Sequence, residues 1–258
     1  MSDTTHQDRE RALSFGGVAE TYELGRPSYP PELIDDLLAL QPRSVLDVGT
    51  GTGKAGRLFA ARGVSLIGVE PDPRMAELAR RHGYPVEEAT FESWDPRGRV
   101  FDLIVSGQAW HWVDPAGGIP KAASLLSPGG HLAAFWNIGS HDGAVRARLA
   151  AVYERLAPQI AASTTALGVR DKSDPARAQL IAEHPGFAQV ELRSYLWDQV
   201  YTRDQWLLYL QSHSDHVLLP PETRSAVLGE VGAVIDTLGG SLAYHYTTVL
   251  ILASRGAA

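Results

Sequence analysis

Two carboxylates and a glycine-rich loop are the first residues in this sequence whose types and spacing suggest chemistry. Asp47 lies in the apolar run Ser44–Val48, and glycines follow it at positions 49, 51, 53 and 56. Glu70 closes the next apolar run, Val64–Glu70. Glycines after a strand let the backbone approach a ligand closely, and open α/β sheets bind ligands at that end of their strands. The pattern predicts a ligand site that involves both carboxylates.

Three ligands compete for the loop. A phosphate-binding P-loop needs Gly-x-x-x-x-Gly-Lys-Ser/Thr, but Val48 replaces its first glycine and Ala55 offers magnesium no hydroxyl. A dinucleotide fingerprint matches the glycines of 51–56, although its first glycine should follow the strand directly. The carboxylate of Asp47 would repel a pyrophosphate, although we expect Lys54 to offset part of that charge. The same carboxylate suits a ligand with an ammonium or sulfonium cation, as in S-adenosylmethionine. A dinucleotide and a purely structural turn remain the alternatives.

Glu70 provides a second indication. An acidic side chain about 20 residues after a glycine loop can accept hydrogen bonds from both ribose hydroxyls of an adenosine. NAD and S-adenosylmethionine share that group, so Glu70 does not discriminate between them. The alternative is a surface carboxylate that caps the helix predicted from Asp72.

Composition limits the class of protein. The chain has 258 residues, 44% hydrophobic and 21% charged, which is typical of a globular protein. No apolar run approaches the roughly 20 residues that cross a bilayer, and the polar start lacks the apolar centre of a secretory signal. The absence of cysteine excludes disulfides, thiolate metal sites and cysteine nucleophiles. The net charge of −7 argues against nucleic acid as a partner. We expect a cytoplasmic protein without membrane or nucleic-acid partners, and the oligomeric state stays open.

Short apolar runs alternate with helical patterns over the first half of the chain. Strands are predicted at 44–48, 64–70, 85–89, 100–106 and 131–137. Helices are predicted at 31–40, after the glycine loop to about 62, at 72–83 and from Asp114-Pro115, with a turn at 127–130. This alternation predicts a doubly wound α/β core with a mostly parallel sheet.

The second half breaks this rhythm. Residues 140–186 are predicted to be helical and then loop-like, followed by a strand at 189–201, helices over 202–238 interrupted by Pro220-Pro221, and a strand at 243–254. The segment between the last two strands is too long for a loop without structure of its own. It is predicted to form a helical cap over the sheet edge.

Five motifs together resemble a known family. They read DVGTGTG from Asp47, GVEPDPRM from Gly68, EEATFESWD from Glu87, FDLIVSGQAWHWVD from Phe101 and SLLSPGGHLAAFWN from Ser124. In this order they resemble the motifs of class I S-adenosylmethionine-dependent methyltransferases. The leader SFGGVAETYELGRPSYP and the WHW element resemble a branch with trans-aconitate methyltransferases and actinobacterial small-molecule methyltransferases.

The resemblance implies an architecture. It implies a Rossmann-like sheet of seven mostly parallel strands, of which the last is antiparallel. The chain would divide into an N-terminal lid segment at 1–30, an S-adenosylmethionine-binding core at 31–139, and helical cap elements with the closing strands at 140–258. The cofactor would be S-adenosyl-L-methionine, the product S-adenosyl-L-homocysteine, and no metal is expected.

The resemblance also implies roles for individual residues. Around the methionine half would lie Asp47, Gly49, Gly51, Ser106 and Gln108, and Glu70 would hold the ribose. Along the adenine would lie Pro71, Met75, Thr90, Phe91 and Glu92. The sequence Phe91-Glu92-Ser93 departs from relatives that carry a small residue and then an acid. From the leader, Tyr22 and Arg26 would close over the cofactor.

Methyl transfer needs positioning above all, and a base only when the acceptor carries a proton. His111, between Trp110 and Trp112, is predicted to be either a general base or a cationic anchor for a substrate carboxylate; the alternative is simple packing. The candidate substrate contacts are Tyr29, Trp110, Trp112, Trp206, Tyr209 and His213. His213 and His216 have a spacing seen in metal sites, but a solvent-facing helix surface is the preferred interpretation.

The sequence thus predicts an S-adenosylmethionine-dependent methyltransferase that acts on a small molecule, with oxygen of a carboxylate or hydroxyl favoured. Two alternatives come from other classes. A protein of the same fold could bind the cofactor and act as a non-methylating enzyme or a ligand-binding protein. An NAD-dependent oxidoreductase is the other alternative, and Asp47 opposes it.

Overall fold

The computed structural model describes residues 19–168 and 175–256. The first 18 residues of the predicted lid segment lie outside the described residues. So do residues 169–174 of the segment predicted to be loop-like.

The described strands form one sheet. They are β1 (Ser44–Val48), β2 (Ser65–Glu70), β3 (Val86–Glu88), β4 (Phe101–Gly107), β5 (Leu126–Ser140), β6 (Phe187–Thr202) and β7 (Ser241–Arg255). Their order is β3-β2-β1-β4-β5-β7-β6. Strands β1 to β5 pair in parallel, and β7 runs antiparallel to both β5 and β6. The predicted fold class, including the antiparallel last strand, is confirmed.

Helices follow the strands on both sides of the sheet. They are α1 (Ala19–Gly25), α2 (Pro31–Leu38), α3 (Gly56–Ala60), α4 (Pro73–Arg80), α5 (Pro115–Leu125), α6 (Gly143–Leu156), α7 (Pro158–Ala161), α8 (Pro175–Ala182), α9 (Arg203–Gln211), α10 (Ser214–Val217) and α11 (Pro221–Thr237). Short 3₁₀ turns cover Trp110–Trp112 and Thr165–Leu167. Proline occupies the first turn of several helices, where its missing N–H costs no hydrogen bond. No helix in the described ranges is both long and apolar enough to cross a membrane.

The largest boundary difference concerns β5. The sequence predicts a turn at 127–130 and a strand at 131–137, whereas the strand runs from Leu126 to Ser140. Its far half pairs continuously with β7, as far as Ser140 opposite His245. A long antiparallel partner extends the strand beyond the point where its own apolar pattern ends.

The core lies on both faces of the sheet. On one face, Leu33 of α2 and Phe59 of α3 pack against strand residues such as Leu103. On the other, Ile119 of α5 and Ile181 of α8 pack against residues such as Ile104. A third cluster joins α6, α9 and α11 to the ends of β6 and β7. We call this third cluster the helical cap; it includes Tyr244, which faces Gly139 near the carboxyl end of β5.

Candidate active site

The glycine loop begins where β1 ends, and it needs glycine for conformational reasons. Gly49, Gly51 and Gly53 have φ angles of 65°, 58° and 89°, a region that other residues rarely adopt. A Cβ at Gly49 would lie 2.5 Å from the Cβ of Ala109. The loop backbone therefore packs directly against the start of the Trp110–Trp112 turn, which brings two predicted motifs together.

Asp47 is fully buried beneath this loop. Its Oδ2 accepts a hydrogen bond from the Thr50 hydroxyl at 2.6 Å, and that hydroxyl lies 2.8 Å from the Tyr84 hydroxyl. Its Oδ1 has no hydrogen-bond partner among the described residues. Burial raises the pKa of Asp47 to about 6. A buried carboxylate oxygen without a partner is costly, and a ligand with a donor or a positive charge would relieve that cost.

Glu70 ends β2 on the other side of the loop. Its Oε2 accepts from the backbone N–H of Gly51 at 2.9 Å, and its Oε1 accepts from that of Asp72 at 3.0 Å. Burial, with smaller contributions from the charges of Asp72 and Asp47, raises the pKa of Glu70 to about 7. The alternative of a surface carboxylate is wrong, because Glu70 is only 6% exposed. Asp72 itself caps α4.

The leader helix α1 lies over the glycine loop. The carboxylate of Glu23 accepts from the Thr52 hydroxyl at 2.6 Å and from Nη1 of Arg57 at 2.8 Å. Nζ of Lys54 donates to the backbone oxygen of Glu23 at 2.5 Å. Lys54, expected to offset the charge of Asp47, is thus engaged with the leader instead.

Arg26 links the leader to the cap. Its Nη2 donates to the backbone oxygen of Ser212 at 3.0 Å. Its guanidinium lies 4.9 Å from the ring centre of Tyr22 and 5.9 Å from that of Tyr209. Nε of Arg26 is buried without a hydrogen-bond partner among the described residues. The positive charge therefore faces aromatic rings at the boundary between leader and cap.

Two leader tyrosines lie near the buried carboxylates. Burial raises the pKa of Tyr22 and of Tyr29. The charge of Glu70 adds to the rise for Tyr22 and that of Asp47 to the rise for Tyr29, while Arg26 opposes both. The ring of Tyr29 contacts Phe135 edge-on, with ring centres 4.7 Å apart. The structure thus brings Tyr22, Arg26 and Tyr29 together with Asp47 and Glu70.

The residues predicted to lie along the adenine differ in burial and in the groups that they contact. Met75 is buried, and its Cε is 3.8 Å from the place of a Cβ on Gly51. Pro71 is exposed, and the Thr90 hydroxyl lies 2.9 Å from that of Ser93.

Phe91 and Glu92 are engaged with the protein itself. Phe91 is buried in the core, 5.9 Å from the ring of Trp110. Oε1 of Glu92 accepts from the backbone N–H of Asp114 at 2.8 Å. Their contacts support the loop after β4.

Ser106 and Gln108 lie at the carboxyl end of β4. The buried hydroxyl of Ser106 donates to the backbone oxygen of Val48 at 2.9 Å, which joins β4 to β1. Gln108 has a φ of 58°, unusual for a residue other than glycine. Its Nε2 donates to the backbone oxygen of Asn137 at 3.1 Å. Backbone strain of this kind often marks a functional site.

The Trp-His-Trp turn divides into a buried and a half-buried part. Trp110 belongs to the core. His111 and Trp112 are half-buried with ring centres 4.9 Å apart. Nε1 of Trp136, on β5, donates to Nδ1 of His111 at 3.1 Å.

The cap candidates are packed more deeply than a substrate surface. Trp206 is fully buried, with its ring centre 4.8 Å from those of Tyr209 and Tyr244. Tyr209 is also buried, and its ring lies 4.5 Å from that of His213. Trp206 is thus part of the cap core, whereas Tyr209 reaches Arg26.

The solvent-facing interpretation of His213 and His216 is wrong. Both are buried, because α10 is a single turn packed under α6 and the 165–167 turn. Nδ1 of His213 lies 2.8 Å from the Thr165 hydroxyl, and Nε2 of His216 lies 2.7 Å from the Tyr153 hydroxyl. Within the described residues, no three His, Asp or Glu side chains are grouped so as to hold a metal ion.

Comparison with known proteins agrees with this geometry. Residues 22–158 match a family model described as a methyltransferase domain. An uncharacterised methyltransferase of Mycobacterium tuberculosis is 35% identical over 95% of this chain and 97% of its own length. The chain belongs to the methyltransferases. Another relative, an uncharacterised methyltransferase of Schizosaccharomyces pombe, is 23% identical over 84% of this chain and 85% of its own length.

A solved structure shares the fold of this methyltransferase. It is that of a proposed type II methyltransferase from Anaeromyxobacter dehalogenans, with a TM-score of 0.65 and 21% identity. The match covers 89% of this chain and 97% of that one.

The cofactor of the methyltransferase is S-adenosylmethionine, and the loop residues fit it. Oδ1 of Asp47 is a buried hydrogen-bond acceptor without a partner in the described part of the chain. A ligand that carries a donor group or a positive charge would supply that partner. Among the described residues, the carboxylate of Glu70 accepts hydrogen bonds from two backbone N–H groups, and it keeps lone pairs for ribose hydroxyls. Gly49 and Gly51 give the loop between the two carboxylates its positive φ angles.

Four further residues near the site were not predicted from the sequence. They are Glu23, which binds Arg57; Tyr84, whose hydroxyl contacts that of Thr50; Asn137, whose backbone oxygen accepts from Gln108; and Trp136, which donates to His111. Asn137 and Trp136 lie on β5 near its carboxyl half, so the strand-end rule applied to β5 would have indicated them. Glu23 and Tyr84 have no such signal, since only the tertiary fold brings them to the loop.

Proposed function

We propose that this methyltransferase transfers a methyl group to an oxygen atom of a small-molecule acceptor, and that a carboxylate is the preferred acceptor group. The observation that carries the proposal is the position of Arg26. Its guanidinium lies against Tyr22 and Tyr209, and no carboxylate of the described residues forms an ion pair with it. A half-buried cation of this kind suits an anionic ligand.

The side of the site on which Arg26 lies favours the acceptor. Among the described residues, its side-chain hydrogen bond and one of its two ring contacts are to the cap, through Ser212 and Tyr209. The cofactor candidates Asp47 and Glu70 belong to the sheet. We therefore assign Arg26 to the acceptor, whereas the family resemblance had implied that it closes over the cofactor.

With a carboxylate acceptor, the site needs no general base. When bound, S-adenosylmethionine supplies a methyl carbon on positively charged sulfur, and the sulfur keeps the bonding electron pair as the acceptor oxygen bonds to that carbon. A carboxylate is already ionised, so no proton has to be removed. Arg26 would orient the acceptor, and the leader with the cap would exclude water.

The substrate class can be tested with ¹³C-methyl-labelled S-adenosylmethionine and a metabolite extract. We expect a labelled product whose methyl carbon shows the chemical shift of an ester or ether. Labelled N-methyl or C-methyl products alone would refute the oxygen acceptor. A cytoplasmic location and the lack of nucleic-acid or membrane partners stay predictions.

Arg26 itself can be tested with the acceptor found in this way. Arg26→Gln should raise the KM of a carboxylate acceptor at least about tenfold, because the acceptor loses a charged hydrogen-bond partner. The Kd of the cofactor should change little. Exposed Arg81, the residue directly after α4, provides the matched control, Arg81→Gln. A change in the Kd of the cofactor alone would mean that Arg26 contacts the cofactor and not the acceptor.

A further inference from the structure

The contact between Trp136 and His111 restricts the chemistry of the histidine. Nε1 of Trp136 lies 3.1 Å from Nδ1 of His111, and the indole nitrogen can only donate. Nδ1 of His111 must therefore carry a lone pair. A neutral imidazole has one nitrogen with a lone pair and one with a proton, whereas an imidazolium has two N–H groups. While this bond exists, the ring is neutral and its proton is on Nε2.

While the bond to Trp136 is kept, neither role predicted from the sequence is available to His111. A general base needs a lone pair directed at the acceptor, and the lone pair here is directed at Trp136. A cationic anchor needs the second proton, which would displace the indole N–H. The remaining nitrogen, Nε2, is a neutral donor.

We propose that Trp136 is a positioning residue that holds His111 as the neutral Nε2–H tautomer, so that His111 serves the acceptor as a hydrogen-bond donor. The last clause rests on the proposed function, while the tautomer does not. A donor at this place would orient an acceptor oxygen without competing for a proton. That property matches a carboxylate acceptor, which needs no base.

The surroundings of the pair support this arrangement. The guanidinium of Arg177, on α8, lies 5.7 Å from the ring centre of Trp136. A cation over an indole face is attracted to its electrons and makes the ring N–H a stronger donor. The ring of Trp112 packs against His111, and Asp114 further along the same segment caps α5. The imidazole is thus held from one side by packing and from another by the indole hydrogen bond.

Nitrogen-15 NMR of the cofactor-free protein tests the tautomer directly. In protein labelled at histidine, two-bond correlations from the carbon-bound ring protons to the ring nitrogens distinguish Nε2–H, Nδ1–H and imidazolium forms, and His111→Gln assigns the signal. We expect the Nε2–H pattern for His111 at neutral pH in the wild type. An Nδ1–H or imidazolium pattern there would overturn the proposal, whether or not any variant folds.

Trp136→Phe tests whether the indole N–H fixes the tautomer of His111. It keeps a ring in place but removes the donor, so the His111 pattern should change to mixed tautomers or to imidazolium. Trp197→Phe is the matched control, because Trp197 also lies in the sheet and donates its indole N–H to the Thr248 hydroxyl at 2.8 Å. An unchanged Nε2–H pattern in folded Trp136→Phe would show that the indole does not fix the tautomer. This result is independent of methyl transfer, so failure of the proposed function would be seen separately.

Discussion

Oε1 of Glu23 and Nη1 of Arg57 lie 2.8 Å apart and join the leader helix to the glycine loop. The same carboxylate receives the Thr52 hydroxyl. The side chains of Glu23 and Arg57 remain 21% and 31% exposed, and partly exposed pairs of this kind contribute little stability each. The leader is thus fastened by a few polar contacts that can be broken without unfolding the core.

Glu23→Gln should therefore loosen the leader. It removes the negative charge that faces Arg57 and Lys54. We expect limited proteolysis between Tyr22 and Tyr29 to become faster, and S-adenosylmethionine with acceptor to slow it in both proteins. Exposed Glu20, on the same helix, provides the control Glu20→Gln. Cleavage that neither the variant nor the ligands change would contradict a movable leader.

Asp47 and Glu70 should each contribute to cofactor binding. Asp47→Ala and Glu70→Ala are expected to weaken binding of S-adenosylmethionine by about 1–3 kcal/mol each, the cost of losing a charged partner in a buried site. Titration calorimetry measures this loss. Asp47→Asn and Glu70→Gln keep the shape of the side chain and guard against misfolding. Glu77→Ala, in which a side chain 61% exposed is removed, is the control. Wild-type affinity in both alanine variants would mean that the cofactor lies elsewhere.

The pH dependence of binding follows from Glu70. Burial raises its pKa from 4.5 to about 7 in the cofactor-free protein. Ribose hydroxyls donate to the ionised form, so binding should release a proton below about pH 7, and affinity should rise with pH up to that value. Calorimetry in buffers of different ionisation enthalpy counts the proton, and Glu70→Gln should reduce the count. Proton uptake on binding would refute this account.

The raised pKa of Glu70 makes the free energy of unfolding change with pH in the opposite direction to the affinity for the cofactor. Between about pH 4.5 and 7 the folded protein holds the Glu70 proton more tightly than the unfolded chain, so stability falls as pH rises through this window. Above about pH 7 the full cost of the buried charge is present. Glu70→Gln should therefore melt at a higher temperature than the wild type above that pH, without cofactor. A lower melting temperature would show that Glu70 stabilises the free protein.

The sequence predicts most of the fold because strands β1, β2 and β4 follow apolar runs that end at glycine or glutamate. Asp47 and Glu70 were identifiable for the same reason, since each ends or nearly ends a strand. The long β5 and the buried His213 and His216 were not, because both depend on partners distant in sequence. Local pattern also could not reveal that Lys54 contacts Glu23 or that Trp136 contacts His111.

His111 variants separate a donor from a base. Glutamine has an N–H group at a similar reach but no basicity, so His111→Gln should keep at least about ten times more kcat than His111→Ala if His111 is a donor. If His111 were a base, both variants should lose about 10²–10⁴-fold in kcat. Cofactor Kd should stay near the wild-type value in both. Equal kcat and KM in His111→Ala and the wild type would leave His111 a packing residue only.

The choice between S-adenosylmethionine and a dinucleotide depends on the carboxylate of Asp47, because both ligands share the adenosine that Glu70 would hold. Titration of one protein preparation with S-adenosylmethionine, S-adenosylhomocysteine and NAD is the most direct measurement. We predict saturable binding of the first two and little binding of NAD, with a smaller preference in Asp47→Asn. Binding of NAD with an affinity comparable to that of S-adenosylmethionine would contradict the account.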